Sequence, residues 1–183
     1  MTLLVLVTGL PGTGKSTMAE TAGRALGAPV LAHDWAMSGL RPYPEVQATL
    51  DGMGLRGHRD VGWSLLWALA RSQLRLGSPV VLDGVARAPQ VAGTRRLAAE
   101  ESAASLVVMT RCADPDLHRS RIEGRRRGIP GWYELDWSDV ARSRQAWQEP
   151  AGVDLVLEAS DRVAHNAHRL AELLGAVQPA RRE

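Results

Sequence analysis

A glycine-rich segment near the amino terminus constrains the fold more than any other feature of this sequence. Residues 9–17 read GLPGTGKST and match the pattern G-x-x-x-x-G-K-[ST], with fixed positions at Gly9, Gly14, Lys15 and Ser16. A short apolar run precedes the segment and a helical pattern follows it. Glycines in such a turn let consecutive backbone N–H groups curve around an anion, and the next helix directs its positive end toward it.

The segment therefore predicts a binding loop for the phosphates of a nucleoside triphosphate. We expect the nucleotide to contact all nine of its residues: Gly9, Leu10, Pro11, Gly12, Thr13, Gly14, Lys15, Ser16 and Thr17. Within this set, Lys15 is expected to neutralise the β and γ phosphates, and the Ser16 hydroxyl is expected to bind Mg²⁺.

Short apolar runs alternate with helical patterns along the rest of the chain. The runs lie at 3–8, 29–33, 79–82, 105–110 and 153–157. The helical patterns lie at 16–26, 60–76, 89–101, 114–127, 138–147 and 161–174. Apolar runs of this length are typical of strands buried on both faces of a parallel sheet. The alternation predicts a three-layer α/β fold with a five-stranded parallel sheet, in which ligands bind at the carboxyl ends of the strands.

Length and composition indicate a single globular domain. The chain has 183 residues, of which 45% are hydrophobic and 23% charged. Its longest apolar stretch, at 3–7, is far shorter than the roughly 20 residues of a membrane helix. One cysteine, Cys112, excludes an intramolecular disulfide. We expect a cytoplasmic protein with one domain over 1–175 and a flexible tail over 176–183.

Lysine is almost absent from the sequence. Of the 22 basic residues, only Lys15 is a lysine, and the others are arginine. An ammonium is a compact charge on a flexible stem, which a planar guanidinium does not replace. The composition thus favours a specific task for Lys15. The net charge of +2 neither requires nor excludes a nucleic-acid partner.

An acidic residue follows the third apolar run. Asp83 follows Val-Val-Leu, and we expect it to hold a magnesium-bound water beside Ser16, the alternative being a cap on the next turn. ATPases that activate water commonly carry a glutamate at the next position, where this chain has Gly84. The asparagine of the GTPase base-reading motif is also missing, since the only asparagine is Asn166. Hydrolysis and GTPase switching are therefore disfavoured.

Transfer to a hydroxyl requires a base near the γ-phosphate. Asp34 follows the second apolar run at the ligand-binding edge, and we expect it to orient and deprotonate the acceptor hydroxyl. The alternative is an aspartate that only caps the loop. His33 precedes it, and a histidine in that position is more often packed or hydrogen-bonded than catalytic.

Arginines crowd the segment 117–128, at Arg119, Arg121, Arg125, Arg126 and Arg127. On a helix, Arg121 and Arg125 lie one turn apart on one face, so both would reach one triphosphate. The ordinary interpretation of such a run is a solvated charged surface. Because the arginines repel one another, an anionic ligand for one or two of them is favoured. We expect an arginine-rich lid over 117–137, with Arg121 and Arg125 on the phosphates.

The acceptor is expected to bind beside Asp34. The segment 35–60 is rich in glycine and proline and is predicted to form a mobile excursion over the ligand-binding edge. Trp35 and Tyr43 are predicted to line the acceptor pocket. Arg41 is predicted either to steer an anionic acceptor or to be a solvated loop charge.

The chain up to about residue 174 resembles the small P-loop kinases of the AAA_33 or zeta-toxin-like group, which includes the chloramphenicol phosphotransferase type and the kinase domains of polynucleotide kinases. The resemblance rests on GLPGTGKST at 9–17, Asp34, VVLDG at 80–84 and RIEGR at 121–125. It implies a five-stranded parallel core, ATP with Mg²⁺, an acceptor-binding aspartate in the position of Asp34, and lid arginines at both ends of RIEGR.

Three functions follow from these features. The first is transfer of the γ-phosphoryl group of Mg·ATP to a hydroxyl of a small molecule, either a metabolite or an antibiotic. The second is a polynucleotide 5′-hydroxyl kinase, which ranks lower because arginines outside the expected lid are scattered and matched by acids. The third is a nucleotide-binding regulatory protein without an acceptor, in which Asp34 would be structural. The identity of the acceptor stays open.

Overall fold

The computed structural model describes residues 2–177. Its strands are β1 (Leu3–Thr8), β2 (Val30–Ala32), β3 (Val80–Asp83), β4 (Ala104–Arg111) and β5 (Leu155–Glu158). Its helices are α1 (Lys15–Leu26), α2 (His33–Ser38), α3 (Pro44–Arg75), α4 (Ala88–Glu100), α5 (Pro115–Ile122), α6 (Trp137–Gln145) and α7 (Val163–Val177). The predicted tail over 176–183 falls partly within α7, and residues 178–183 lie outside the described part of the chain.

All five strands are parallel and pair in the order β2-β3-β1-β4-β5. The central strand β1 pairs with β3 on one side, where Leu4 faces Val80, and with β4 on the other, where Leu3 faces Ala104. Strands β2 and β3 therefore lie on one side of β1, and β4 and β5 lie on the other, so the connections reverse direction at β1. In open parallel sheets this reversal opens a crevice at the carboxyl ends of the strands.

Alternate residues of β1 enter two separate cores. Leu3, Val5 and Val7 pack with apolar residues of α1 and α7 on one face of the sheet. Leu4 and Leu6 pack with residues of α3 and α4 on the other face. Successive side chains of a strand point to opposite faces, so burial of both sets makes β1 apolar throughout. The predicted three-layer α/β fold with a five-stranded parallel sheet is confirmed.

The segment 35–60 differs from the sequence-based expectation. It was predicted to be a mobile excursion followed by a helix from 60, but α2 and the first half of α3 make most of it helical. Pro44 occupies the first turn of α3, where a missing N–H costs nothing, and Leu50 is buried. Gly54, with a φ of 66° and a ψ of −172°, interrupts the helix. Proline and glycine here mark a helix start and a bend.

No helix within residues 2–177 combines the length and the apolar character that crossing a membrane requires. The longest, α3, has 32 residues and exposes polar residues along much of its length.

The close contact of Gly9 with β4 gives a test of the fold. Gly9 has a φ of 140°, and a Cβ atom there would lie 2.0 Å from the Thr110 carbonyl oxygen. We expect Gly9→Ala to lower the free energy of unfolding by about 3 kcal/mol, measured by urea denaturation. Gly52→Ala is the matched control, because Gly52 is helical and has open space around its Cα. The control should be neutral or gain up to about 1 kcal/mol. Equal stabilities of the two variants would contradict the loop geometry.

Candidate active site

The glycine-rich loop after β1 closes on itself through side-chain hydrogen bonds. Both Thr13 Oγ1 and Lys15 Nζ donate to the Leu10 carbonyl oxygen, at 2.7 and 3.1 Å. Thr13 Oγ1 also lies 2.7 Å from Thr110 Oγ1, which ties the loop to β4. Within residues 2–177, the N–H groups of Gly12 and Gly14 donate to no protein acceptor. Free N–H groups in a curved loop before a helix form an anion-binding site.

Lys15 lies half-buried among charged groups. Burial lowers the pKa of the Lys15 ammonium, and the carboxylates of Asp83 and Asp34 oppose this shift. Arg125 and Arg127 lower the same pKa further by their charge. The cavity around Lys15 is lined by four basic side chains, Lys15, Arg125, Arg126 and Arg127, against the carboxylates of Glu20, Asp34 and Asp83, so positive charge is in excess. A bound polyphosphate would supply the missing negative charge.

Asp83 ends β3 next to Ser16 and is 6% exposed. Burial raises the pKa of its carboxyl group, while the charge of Lys15 and the neighbouring Ser16 hydroxyl oppose the rise. Its Oδ1 atom has no hydrogen-bond partner among the described residues. A buried, unpartnered carboxylate oxygen beside a hydroxyl suits a hydrated Mg²⁺, which keeps several waters and takes few protein ligands. The residues therefore fit the ion expected there.

Asp34 lies in the first turn of α2, one position beyond the predicted strand end, and His33 begins this helix. Arg127 Nη1 donates to Asp34 Oδ2 at 2.5 Å, and His33 Nδ1 lies 3.3 Å from Asp34 Oδ1. Burial raises the pKa of Asp34, but the hydrogen bond from His33 and the charge of Arg127 outweigh it, so the pKa lies below its usual value. Asp34 is therefore an ionised carboxylate at neutral pH.

The arginine-rich segment is not the continuous helix that the sequence suggested. Helix α5 ends at Ile122, and Gly124 follows with a φ of 73°. The prediction that Arg121 and Arg125 share one helical face is therefore wrong, because a left-handed glycine turns the chain between them. Residues 123–136 form an irregular segment, named here the arginine loop, which leads into α6.

A cavity of about 500 Å³ joins the phosphate loop to Asp34. Seven of the predicted functional residues line it: Pro11, Lys15, Ser16, Asp34, Trp35, Asp83 and Arg125. The arginine loop covers it with Arg125, Arg126, Arg127 and Ile129. Trp35 is 54% exposed at the rim. Nucleotide-binding and acceptor-binding candidates thus share one space.

Three predicted residues outside the phosphate loop do not line this cavity. Arg121 donates from Nη2 to the Ala159 carbonyl oxygen at 2.5 Å, beyond the end of β5. Arg41 donates to the Gly131 carbonyl oxygen and to Gln47 Oε1, both at 3.0 Å. Tyr43 precedes α3 and is 58% exposed. Arg41 thus connects the α2–α3 region to the arginine loop instead of lining the cavity.

Arg127 was not singled out from the sequence, yet it makes the shortest side-chain contact with Asp34. Besides that ion pair, its Nη2 donates to the Tyr133 carbonyl oxygen at 2.5 Å. Its backbone N–H donates to Glu134 Oε1 at 2.8 Å, and its Nε lies 3.4 Å from Glu134 Oε2. Arg127 is the last of three consecutive arginines, and nothing in the sequence indicates that it is the least exposed of them. Only the fold of the arginine loop does so.

The comparisons with known proteins agree with this architecture. The sequence model of the AAA_33 family, described as an AAA domain, matches residues 4–150, so the chain belongs to this family. An uncharacterised protein of Mycobacterium tuberculosis is 39% identical over 132 residues, which are 68% of this chain. The match covers 26% of that relative, so the chain spans about a quarter of its length.

Solved kinases share the fold at low sequence identity. A sugar kinase from Janibacter is similar with a TM-score of 0.68 and 17% identity, over 97% of this chain and 96% of that one. The APS kinase of Mycobacterium tuberculosis, solved with AMPPNP and APS, has a TM-score of 0.67 and 22% identity, over 95% and 98% of the two chains. The fold is that of the P-loop kinases.

The ion pair of Arg127 with Asp34 predicts a change in titration. We expect Arg127→Met to raise the pKa of Asp34, because the charge that favours the carboxylate is lost while burial still disfavours it. Carboxyl ¹³C resonances recorded across a pH series measure the shift. Arg126→Met is the matched control, since Arg126 lines the same cavity but makes no ion pair with Asp34 within residues 2–177. An Asp34 titration unchanged by Arg127→Met would contradict the ion pair.

Proposed function

We propose that the protein transfers the γ-phosphoryl group of Mg·ATP to a hydroxyl of a small molecule. The observation that carries this proposal is one cavity that contains both the phosphate loop with Lys15 and the ionised carboxylate of Asp34. A phosphate-binding loop alone serves many nucleotide-dependent functions. Phosphoryl transfer to an acceptor requires, in addition to this loop, a carboxylate that faces the same space.

The nucleotide side of the cavity is formed by residues 9–17. In this proposal the backbone N–H groups of the loop and the Lys15 ammonium hold the β and γ phosphates, and Arg125 contacts them from the arginine loop. Ser16 would bind Mg²⁺ directly and Asp83 through water. When bound, the ion neutralises phosphate charge. The loop N–H groups, Lys15 and Arg125 would orient the phosphates.

Asp34 takes the acceptor hydroxyl on the opposite side. The hydroxyl donates a hydrogen bond to the carboxylate, its oxygen attacks the γ-phosphorus, and the bond from that phosphorus to the bridging oxygen breaks to release ADP. The proton of the hydroxyl passes to Asp34. Because Arg127 lowers the pKa of this carboxylate, Asp34 stays ionised and accepts the hydrogen bond of the hydroxyl, and opening of the ion pair with Arg127 would make it a stronger proton acceptor.

The shape of the site favours a small acceptor. The cavity of about 500 Å³ has to receive phosphate groups as well as the acceptor, and Trp35 and Ile129 provide apolar surface beside its charged groups. The sugar kinase and the APS kinase that share the fold act, by their names, on small molecules. A polynucleotide would need a continuous basic groove with stacking aromatic side chains.

Substitution of Asp34 tests the proposed transfer. We expect Asp34→Asn to lower the acceptor-dependent rate of ADP release by about 10²- to 10⁴-fold, because the amide neither carries the charge nor accepts the proton. Affinity for Mg·ATP, measured by isothermal titration calorimetry, should stay within a few-fold of wild type. Asp60→Asn is the matched control, since Asp60 is exposed and does not line the cavity.

The acceptor panel contains sugars, nucleosides, hydroxylated antibiotics and a 5′-hydroxyl oligonucleotide. Stimulation by a small molecule that Asp34→Asn abolishes supports the proposal. Stimulation by the oligonucleotide alone would replace it with the polynucleotide kinase. ATP binding with slow ADP release that no acceptor changes, equal in wild type and Asp34→Asn, would favour the regulatory protein instead.

A further inference from the structure

His118 is a fully buried histidine that the proposed reaction does not use. It lies on α5 directly against the phosphate loop, with no solvent-exposed surface. Its Nε2 is 2.6 Å from the Pro11 carbonyl oxygen, and its Nδ1 is 3.1 Å from Arg144 Nη1. A buried polar ring with both nitrogens in hydrogen bonds is held in one orientation.

The partners of His118 determine which nitrogen carries the proton. The Pro11 carbonyl oxygen only accepts hydrogen bonds, so Nε2 must donate. The Arg144 guanidinium only donates, so Nδ1 must be an acceptor without a proton. The ring is therefore neutral and in the Nε2–H form. Burial lowers the pKa of His118 and the charge of Arg144 lowers it further, in agreement with this neutral state.

Arg144 is itself held in place by the end of β4. Its Nη1 donates to the Cys112 carbonyl oxygen and its Nη2 to the Ala113 carbonyl oxygen, each at 2.8 Å. A row of hydrogen bonds thus runs from the residues after β4 through Arg144 and His118 to Pro11. In each of these hydrogen bonds, the acceptor fixes the orientation of the donor side chain.

The hydrogen bond to Pro11 sets the direction of the next amide. In a trans peptide the carbonyl and the N–H point to opposite sides of the same plane. The Pro11 carbonyl points toward His118, so the Gly12 N–H points away from α5. That N–H has no protein acceptor within residues 2–177, and Pro11 itself lines the cavity. The bond from His118 therefore directs a free N–H away from α5, on a peptide whose Pro11 borders the cavity.

We propose that His118 is a positioning residue for the nucleotide phosphates: its Nε2–H holds the Pro11–Gly12 peptide so that the Gly12 N–H faces the phosphate, and Arg144 fixes the tautomer that makes this possible. The inference rests on the proposed function, because it assigns the phosphates to this loop. A phosphate on the Gly12 N–H polarises the peptide and strengthens its carbonyl as an acceptor for His118.

The packing around His118 leaves the peptide no alternative support. A Cβ atom on Gly12 would lie 2.7 Å from Ile122 Cδ1 and 3.3 Å from His118 Cδ2, so α5 contacts the loop backbone directly. The edge of Trp137 packs on the imidazole, with ring centroids 5.5 Å apart. Since these neighbours are apolar, loss of the Nε2–H donor leaves the Pro11 carbonyl oxygen without a partner.

A pair of variants separates the donor from the bulk of the ring. His118→Gln places an amide N–H donor near the position of Nε2, whereas His118→Asn is shorter and cannot reach Pro11. We expect His118→Asn to weaken ADP binding about tenfold in isothermal titration calorimetry. His118→Gln should restore affinity to within about threefold of wild type. His168→Asn, an exposed histidine on α7, is the control and should bind like wild type.

Lys15→Ala, measured alongside, separates failure of this inference from failure of the proposed function. If Lys15→Ala binds ADP as tightly as wild type, the loop does not hold the phosphates and the proposed function fails. If Lys15→Ala loses affinity while His118→Asn does not, the positioning role is overturned and the phosphate loop stands. Equal loss in His118→Asn and His118→Gln would likewise overturn it, because the donor would not matter.

The wild-type chain gives a second readout that does not depend on a variant folding. Ring ¹⁵N resonances of His118 should show the Nε2–H tautomer between pH 6 and 8, and the Gly12 amide should shift strongly when ADP or pyrophosphate is added. An Nδ1–H tautomer, or a Gly12 amide that does not respond to either anion, would contradict the proposal.

Discussion

The turn at the carboxyl end of β1 is the constraint on which the rest of the site depends. Gly9 packs so closely on the Thr110 carbonyl that any side chain would collide with β4, and Thr13 bonds to Thr110 across the same contact. The anchored loop leaves N–H groups without protein acceptors. Because β1 is the central strand, this turn lies where the strand order reverses, and neighbouring strands place Asp83 and Asp34 beside it.

Charge balance in the cavity explains the arrangement of its acidic and basic groups. Four basic side chains, Lys15, Arg125, Arg126 and Arg127, line the cavity against the three carboxylates of Glu20, Asp34 and Asp83, and this excess suits a polyphosphate. The hydrogen bond from His33 and the charge of Arg127 keep Asp34 ionised. Arg127 therefore links the covering loop to the acceptor side, and in the proposed reaction its movement would change the basicity of Asp34. His118 lies on α5, the helix that precedes the arginine loop, and its hydrogen bond to Pro11 connects this helix to the phosphate-binding backbone.

The sequence predicted the sheet, the phosphate loop and seven of the residues that line the cavity, because each depends on local signals. Apolar runs identify buried strands, and the spacing from Gly9 to Ser16 identifies the loop. The sequence-based prediction was wrong where contacts or turns determine the position of a side chain. Gly124 breaks the predicted helical face of Arg121 and Arg125, and Arg41 bonds to Gly131 far along the chain. The partners of Arg127 and of His118 also come from distant segments. No local pattern distinguishes such residues from surface charges or core packing.

The measurement that tests the central claim most directly is the fate of the γ-phosphoryl group, followed by ³¹P NMR of the purified protein with Mg·ATP and pools of hydroxyl compounds. The account predicts a new phosphate monoester resonance that grows with ADP in one pool. It predicts no such resonance in the Lys15→Ala variant. Orthophosphate as the only product in every pool would show that water is the acceptor, and would contradict transfer to a hydroxyl at Asp34.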